Sequence, residues 1–367
     1  MQPFATSPGT AGYRERFLDT LPPKHFKEAL GLVLSSIGLG TYLGDPDPAT
    51  DLLYQEAVKT ALRLGCNVID TAINYRFQRS EKSIGRALRD LLQNGSFSRE
   101  EIFISTKGGF IPYQDTAPLN SDEYIHHTFI SAGIITPQDI TAGCHCMAPR
   151  YLEHQLQQSL DNLQLECIDL YFLHNPETQL QEIVRDEFNH RVRDAFATLE
   201  KAVEAGKIRF YGTATWNGYR SATAARDHLS LGELIGLAEE VAGKEHHFRA
   251  LQLPFNLVMP ESFTRLNQQR DGDLLSLLEV AQKSDMLVMA SASIYQGNLA
   301  RNLPLELTSL IGQRTDAQNA IQFVRSTPGI TTALVGMKNA GHVVENMQTA
   351  LAPPLDEERY MCLYRSK

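Results

Sequence analysis

The chain has 367 residues, 43% of them apolar, with 34 Lys and Arg against 43 Asp and Glu and a formal net charge of −9. Without a Lys/Arg stripe, that balance excludes nucleic acid and anionic membrane as primary partners, and no stretch reaches the ~18 apolar residues of a membrane span. Five cysteines in a chain this long do not make a disulfide framework, and with no apolar signal segment near the start they point to a reducing cytoplasm.

Residues 1–24 are rich in Pro, Gly and charge and read as an irregular N-terminal arm, followed by a single domain over 25–367. Short apolar runs then alternate with longer amphipathic ones. Strands are expected at 33–40, 67–71, 102–107, 168–174, 208–214, 249–255, 286–291 and 331–335. The helices after them are expected at 50–64, 80–92, 149–163, 186–204, 231–241, 272–282, 317–325 and 341–350. Helical spacing is clearest where Leu156, Leu160 and Leu163 recur at four and three.

Strand–helix alternation implies right-handed β-α-β units and a parallel sheet. Eight such units without a composition break imply a closed (β/α)₈ TIM barrel. An open doubly wound sheet needs a glycine fingerprint after its first strand, and Gly38-Leu39-Gly40 supplies only part of it, since Leu43 takes the third position. In a barrel of this kind the chemistry lies at the C-terminal strand ends. Four titratable residues fall there or just beyond: Asp70, Tyr75, Lys107 and His174. A free phenol, with a pKa near ~10, is a sluggish proton donor at neutral pH, and an adjacent ammonium lowers it. Lys107 is the expected ammonium, Asp70 its partner, and His174 the group that orients a substrate oxygen.

The motifs around these residues are I-G-L-G-T-Y (37–42), N-V-I-D-T-A-I-N-Y (67–75), I-S-T-K (104–107), I-D-L-Y-F-L-H-N-P (168–176), G-K-I-R-F-Y-G (206–212), Q-L-P-F-N (252–256), and the closing T-P-G-I-T-T-A-L-V-G-M-K and E-N-M. In this order, over about residues 25–351, the chain resembles the aldo-keto reductase superfamily. The resemblance implies an NAD(P)H-dependent reduction of an aldehyde or ketone to an alcohol. Tyr75 would be the proton donor, Lys107 the residue lowering its pKa, Asp70 the lysine's partner and His174 the orienting group. It implies NADPH as cofactor, with NADH possible, held by Gly40, Thr41 and Tyr42 at the nicotinamide end, Gln252 at the carboxamide, Glu345 and Asn346 at the adenine, and Gly336, Lys338 and His342 at the 2′-phosphate. Ala214 and Thr215 stand where many members carry Ser-Asn, and Ser291 where a tyrosine often stacks on the nicotinamide.

The segment 108–147 is about twice the length one helix and its following strand need, and it directly follows Lys107. Phe110 and Tyr113 make it apolar, so it is expected to fold over the barrel mouth as a substrate-shaping loop. Trp216, the sole tryptophan, is expected at the same mouth. Cys144-His145-Cys146 invites a metal reading, but alternate residues of an extended loop point opposite ways and no second ligand pair follows, so no metal is expected. The partner is a small-molecule carbonyl or alcohol, and the protein a monomer or weak oligomer. The alternatives are a dehydrogenase oxidising a sugar or secondary alcohol, and a cofactor-sensing regulatory subunit with little turnover.

Overall fold

The computed structural model describes residues 2–364, and its eight parallel strands close into a barrel in chain order. Met1 and residues 365–367, the outermost parts of the expected arm and domain, lie outside the described residues. The strands are β1 (Ile37–Gly40), β2 (Val68–Asp70), β3 (Phe103–Gly108), β4 (Ile168–His174), β5 (Ile208–Ala214), β6 (Phe248–Pro254), β7 (Leu287–Ser291) and β8 (Thr332–Gly336). Around them run α1 (Pro48–Arg63), α2 (Arg79–Gln93), α3 (Pro149–Leu163), α4 (Arg185–Glu204), α5 (Leu231–Ala242), α6 (Leu277–Lys283), α7 (Asp316–Ser326) and α8 (Ala340–Met347).

The two-residue period of a strand decides what each side chain faces. Val68, Phe103, Phe172, Ala250 and Met289 fill the barrel interior, whereas their neighbours Ile69, Ile104, Leu173, Leu251 and Val288 pack outward beneath the helices. Stepping by two from the interior residues reaches Asp70, Lys107, His174 and Gln252. The same alternation that builds the core therefore aims the polar groups inward at the C-terminal mouth.

Three expectations about local structure need correction. Part of the N-terminal arm is not irregular: Ser7–Glu15 is a helix, capped by Thr6, whose hydroxyl accepts from the Gly9 amide. Its Tyr13 is fully buried and donates its hydroxyl to the Leu62 carbonyl at 2.6 Å, so tertiary packing holds the helix where its Pro and Gly content argued against one. The expected first strand breaks at Ser36. Leu32–Ser35 pairs antiparallel with Phe26–Ala29 through a Leu30-Gly31 turn with both φ positive (53° and 72°), the hairpin geometry matching strand twist, and Leu32 and Leu34 join the interior cluster. The sixth helix begins at Leu277, five residues later than expected. Asp271 and Gly272 (φ 54° and 89°) turn a second hairpin, Leu266–Arg270 with Asp273–Ser276, and Ser276 with Glu279 forms the capping box that starts α6.

The segment after β3 packs against the helices on either side of it. Ile111, Ile125, Phe129, Ile135 and Cys146 gather around Tyr151 of α3 in a small core of their own. Asp115 pairs with Lys82 of α2 at 2.9 Å. The bulk of the insertion thus lies against the starts of α2 and α3, beside the barrel opening. Among the described residues no helix is long and apolar enough to cross a membrane.

Candidate active site

A cavity of about 430 Å³ opens at the C-terminal end of the barrel. Its wall brings together Gly40 at the end of β1 with Thr41 and Tyr42 beyond it, Asp70 at the end of β2 with Tyr75 beyond it, Phe110, His174 at the end of β4, Thr215 and Trp216 after β5, Gln252 on β6, Ser291 on β7 and Gly336 on β8. Strand register accounts for much of this: Gly40 is level with Asp70 and Gly336, and Asp70 with Ser105. Tyr113 is not part of the wall. Its ring packs 6.0 Å from Phe77 and 5.4 Å from Tyr124, and its hydroxyl donates to Ser121, because the insertion folds on itself. From that segment only Phe110 reaches the cavity.

Lys107 lies fully buried below the floor, and its ammonium donates to Asp70 Oδ2 at 2.6 Å and to the Thr71 carbonyl at 2.7 Å. Asp70 Oδ1 accepts from Ser105 Oγ at 2.7 Å and from Gln252 Nε2 at 2.8 Å. A buried ion pair survives only when its remaining lone pairs and protons are satisfied, and here both Asp70 oxygens are. The Lys107 ammonium stands 4.9 Å from the centre of the Tyr75 ring. It faces the ring, while two of its protons are committed elsewhere.

Burial dominates the electrostatics of Tyr75 at rest. Burial pushes its phenol well above the usual value, and the negative charge of Asp70 pushes the same way, followed by Tyr42. The resting residue is therefore a firmly neutral phenol that holds its proton. Burial lowers Lys107, against the opposing pull of Asp70. His174 is driven well below the ordinary histidine value by burial, then by Lys107 and His145, so it is a neutral imidazole. Rings pack edge to face along this wall, with Tyr42 to Tyr75 at 5.0 Å, Tyr75 to His174 at 5.9 Å and Phe110 to His174 at 5.1 Å.

The residues expected around a nicotinamide dinucleotide fit that group at its reactive end. Thr215 Oγ1 is buried on the cavity wall without a hydrogen-bond partner, an arrangement a carboxamide would complete. Gln252 has its amide nitrogen on Asp70, so its oxygen is the atom left for a ligand N–H. Lys338, His342, Glu345 and Asn346 lie outside the cavity wall, on the turn after β8 and on α8. Lys338 is half-buried, His342 exposed, Glu345 half-buried and Asn346 buried, and Lys338 makes no ion pair among the described residues.

Several wall residues were not anticipated from the sequence: Leu43, Asn74, Asn175, Ser293, Ile294 and Gln296. Asn74 and Asn175 each adjoin a predicted residue, and Asn175 is left-handed (φ 49°), with its amide on the Ala214 carbonyl at 2.6 Å. Asparagine tolerates that conformation better than most residues, which was the available signal. Ser293, Ile294 and Gln296 belong to a loop after β7 that no local pattern marks. Of the Cys-His-Cys run, Cys146 enters the small core and His145 is buried against Gln179 and the His174 carbonyl.

Among the histidines that burial holds in neutral form are His25, His145 and His174. Burial takes His25 down to about 3, helped by Arg325, and His145 down to about 4, and His174 falls well below its usual value. Above pH ~6.5 neither folded nor unfolded chain protonates them, whereas between ~6.5 and about 4 only the unfolded chain gains the protons, so stability falls as the pH falls. The denaturation midpoint is expected to drop over pH 6.5 to 4.5, and His25→Gln should flatten that slope by about one proton's contribution. An unchanged slope in His25→Gln would show that His25 is not buried neutral.

The family model described as "Aldo/keto reductase family" matches residues 36–363. Among curated proteins, the chain is 30% identical over 167 residues to an aldo-keto reductase named for NADP(+) from Schizosaccharomyces pombe, covering 45% of this chain and 37% of that one. It is 28% identical over 210 residues to an NADH-specific methylglyoxal reductase of Escherichia coli, covering 55% and 54%. The chain spans about half the length, or less, of the curated relatives it matches. Among solved structures, an aldo/keto reductase from Klebsiella pneumoniae in complex with NADP and acetate superposes with a TM-score of 0.62 at 20% identity, covering 94% of this chain and 95% of that one; at that identity the likeness speaks for the fold.

Proposed function

The chain belongs to the aldo/keto reductase family, and from that premise we propose that it is an NADPH-dependent oxidoreductase that reduces an aldehyde or ketone to the alcohol. The observation that carries this reading is the placement of a neutral phenol, Tyr75, and a neutral imidazole, His174, on one cavity wall above the buried Lys107–Asp70 pair.

When bound, the nicotinamide supplies the hydride to the carbonyl carbon. Tyr75 holds a proton at Oη and delivers it to the oxygen as negative charge develops there. Its raised pKa keeps that proton in place at rest. After transfer, the ammonium of Lys107 beneath the ring is the countercharge for the phenolate that remains, and Asp70 keeps the lysine charged and aimed. His174, uncharged, carries one N–H that can bond the carbonyl oxygen and turn it toward Tyr75. Tyr42, Phe110 and Trp216 supply aromatic surface that excludes water from the reacting atoms and strengthens each of these interactions.

Gly40, Thr41 and Tyr42, with Thr215, Gln252 and Ser291, would hold the nicotinamide end of the cofactor. Gly336, Lys338 and His342, with Glu345 and Asn346, would hold the adenosine end, Lys338 meeting the 2′-phosphate. The partner is a small carbonyl or alcohol. Five unpaired thiols suit a reducing compartment such as the cytoplasm.

The test is NADPH oxidation across a panel of aldehydes, ketones and 1,2-dicarbonyls, and no turnover on any of them would end the proposal. Lys338→Met should weaken NADPH binding by about tenfold, the worth of one charge-assisted contact, and leave NADH binding nearly untouched. Equal weakening of both cofactors removes Lys338 from the 2′-phosphate.

A further inference from the structure

His174 lacks the feature that usually fixes a functional histidine, a hydrogen bond on its second ring nitrogen. Its Nδ1 is buried with no partner, so something other than its own ring must hold it. The structure holds its backbone. His145, fully buried in the insertion, places Nε2 at 2.7 Å from the His174 carbonyl oxygen.

The direction of that bond follows from its neighbours. Gln179 approaches His145 Nδ1 with its amide nitrogen at 2.8 Å. The Gln179 oxygen accepts from Arg191 Nη1 at 2.7 Å and Thr141 Oγ1 at 3.0 Å. A guanidinium only donates, so Arg191 forbids the flipped amide. Gln179 must donate to Nδ1, Nδ1 must be bare, and the proton of the neutral imidazole lies on Nε2, aimed at His174. Glu187 holds Arg191 at 2.8 Å. An ordered chain thus runs from α4 through the insertion to the barrel mouth.

Local backbone makes room for this contact and for nothing larger. Gly109 is at φ +136°, and a Cβ there would lie 2.9 Å from His145 Nε2 and 3.1 Å from the His174 oxygen. Phe110 pairs with His145 in a short antiparallel bridge, and its ring sits 5.1 Å from both imidazoles, edge to face.

We propose that His145 is a positioning residue: it anchors the His174 carbonyl and, through Phe110, the face of the His174 ring, so that the insertion's part in the reaction is to brace the active site from behind. This rests on the reading of His174 as the group that orients the carbonyl.

The experiment compares steady-state kinetics of the full-length protein and its variants with NADPH and the best-accepted carbonyl of the panel. His145→Phe keeps a ring against Phe110 but removes the donor, and kcat is expected to fall by about tenfold to a hundredfold, as for a reacting group displaced by a fraction of an ångström, with KM for NADPH unchanged. His145→Gln, whose amide can both donate to His174 and accept from Gln179, should restore most of that loss. An unchanged kcat in His145→Phe overturns the proposal, and so does an equal loss in both variants that tracks a fall in melting temperature. If His145→Phe does not fold, Arg191→Leu frees the Gln179 amide to turn; a lowered kcat at near-normal melting temperature supports the brace, and an unchanged kcat overturns it. His174→Ala separates the two readings. Full turnover in His174→Ala sinks the role of His174 itself, while an inactive His174→Ala beside a normal His145→Phe sinks only the brace.

Discussion

Tyr75→Phe is expected to lower carbonyl reduction by about a hundredfold to ten-thousandfold, the range a positioned general acid contributes, with NADPH binding and the melting temperature close to those of the unaltered protein. The phenol oxygen takes no part in holding the fold: the contacts that seat Tyr75 are its ring against Tyr42, His174 and Lys107 and its amide on the Ala72 carbonyl, all of which phenylalanine keeps. The loss should therefore appear in kcat. Because burial and Asp70 both raise the phenol, the proton is retained well into the alkaline range, and the rate in the reducing direction should not fall near neutral pH for lack of it. Turnover in Tyr75→Phe above a few per cent of the starting value would assign the proton to another group.

Lys107→Met carries the second large effect, and it strikes stability as well as rate. Lys107 and Asp70 are both buried, and removing the cation leaves Asp70 buried without its countercharge, a change that costs about 3–5 kcal/mol. Ser105 and Gln252 still donate to Asp70 Oδ1, but Oδ2 loses its only named partner, and the Thr71 carbonyl loses its ammonium. Adding Asp70→Asn to Lys107→Met should recover much of the denaturation midpoint without recovering activity, since the phenolate formed by proton transfer would still lack its countercharge. A single variant that unfolds at the same denaturant concentration as the parent would mean that the pair is not ionised in the native state.

The barrel was legible because its signal is local. Each strand is a short apolar run bounded by turn residues, each helix an amphipathic stretch, and the C-terminal strand ends follow from the order. Of the four titratable residues named from the sequence, Asp70, Tyr75 and His174 line one cavity, and Lys107 is buried beneath it on Asp70. What was illegible is also physical. The Ser7–Glu15 helix exists because Tyr13 enters the core, which no propensity within the helix announces. The Asp271-Gly272 turn was a recognisable hairpin signal that a helical expectation overrode. An apolar insertion beside a site suggests a lid, but apolar side chains of that segment gather around Tyr151, and Tyr113 packs on Tyr124 and Phe77.

By itself, then, the sequence determined the eight alternations and the parity that turns Asp70, Lys107, His174 and Gln252 inward, since strand and helix periods are properties of a few consecutive residues. Only the tertiary structure decided where the Lys107 ammonium points, how far Tyr75 is withdrawn from water, and that His145 stands behind His174. Desolvation and hydrogen-bond direction depend on everything packed around a group, and here those surroundings come from strands, loops and helices far apart in the chain.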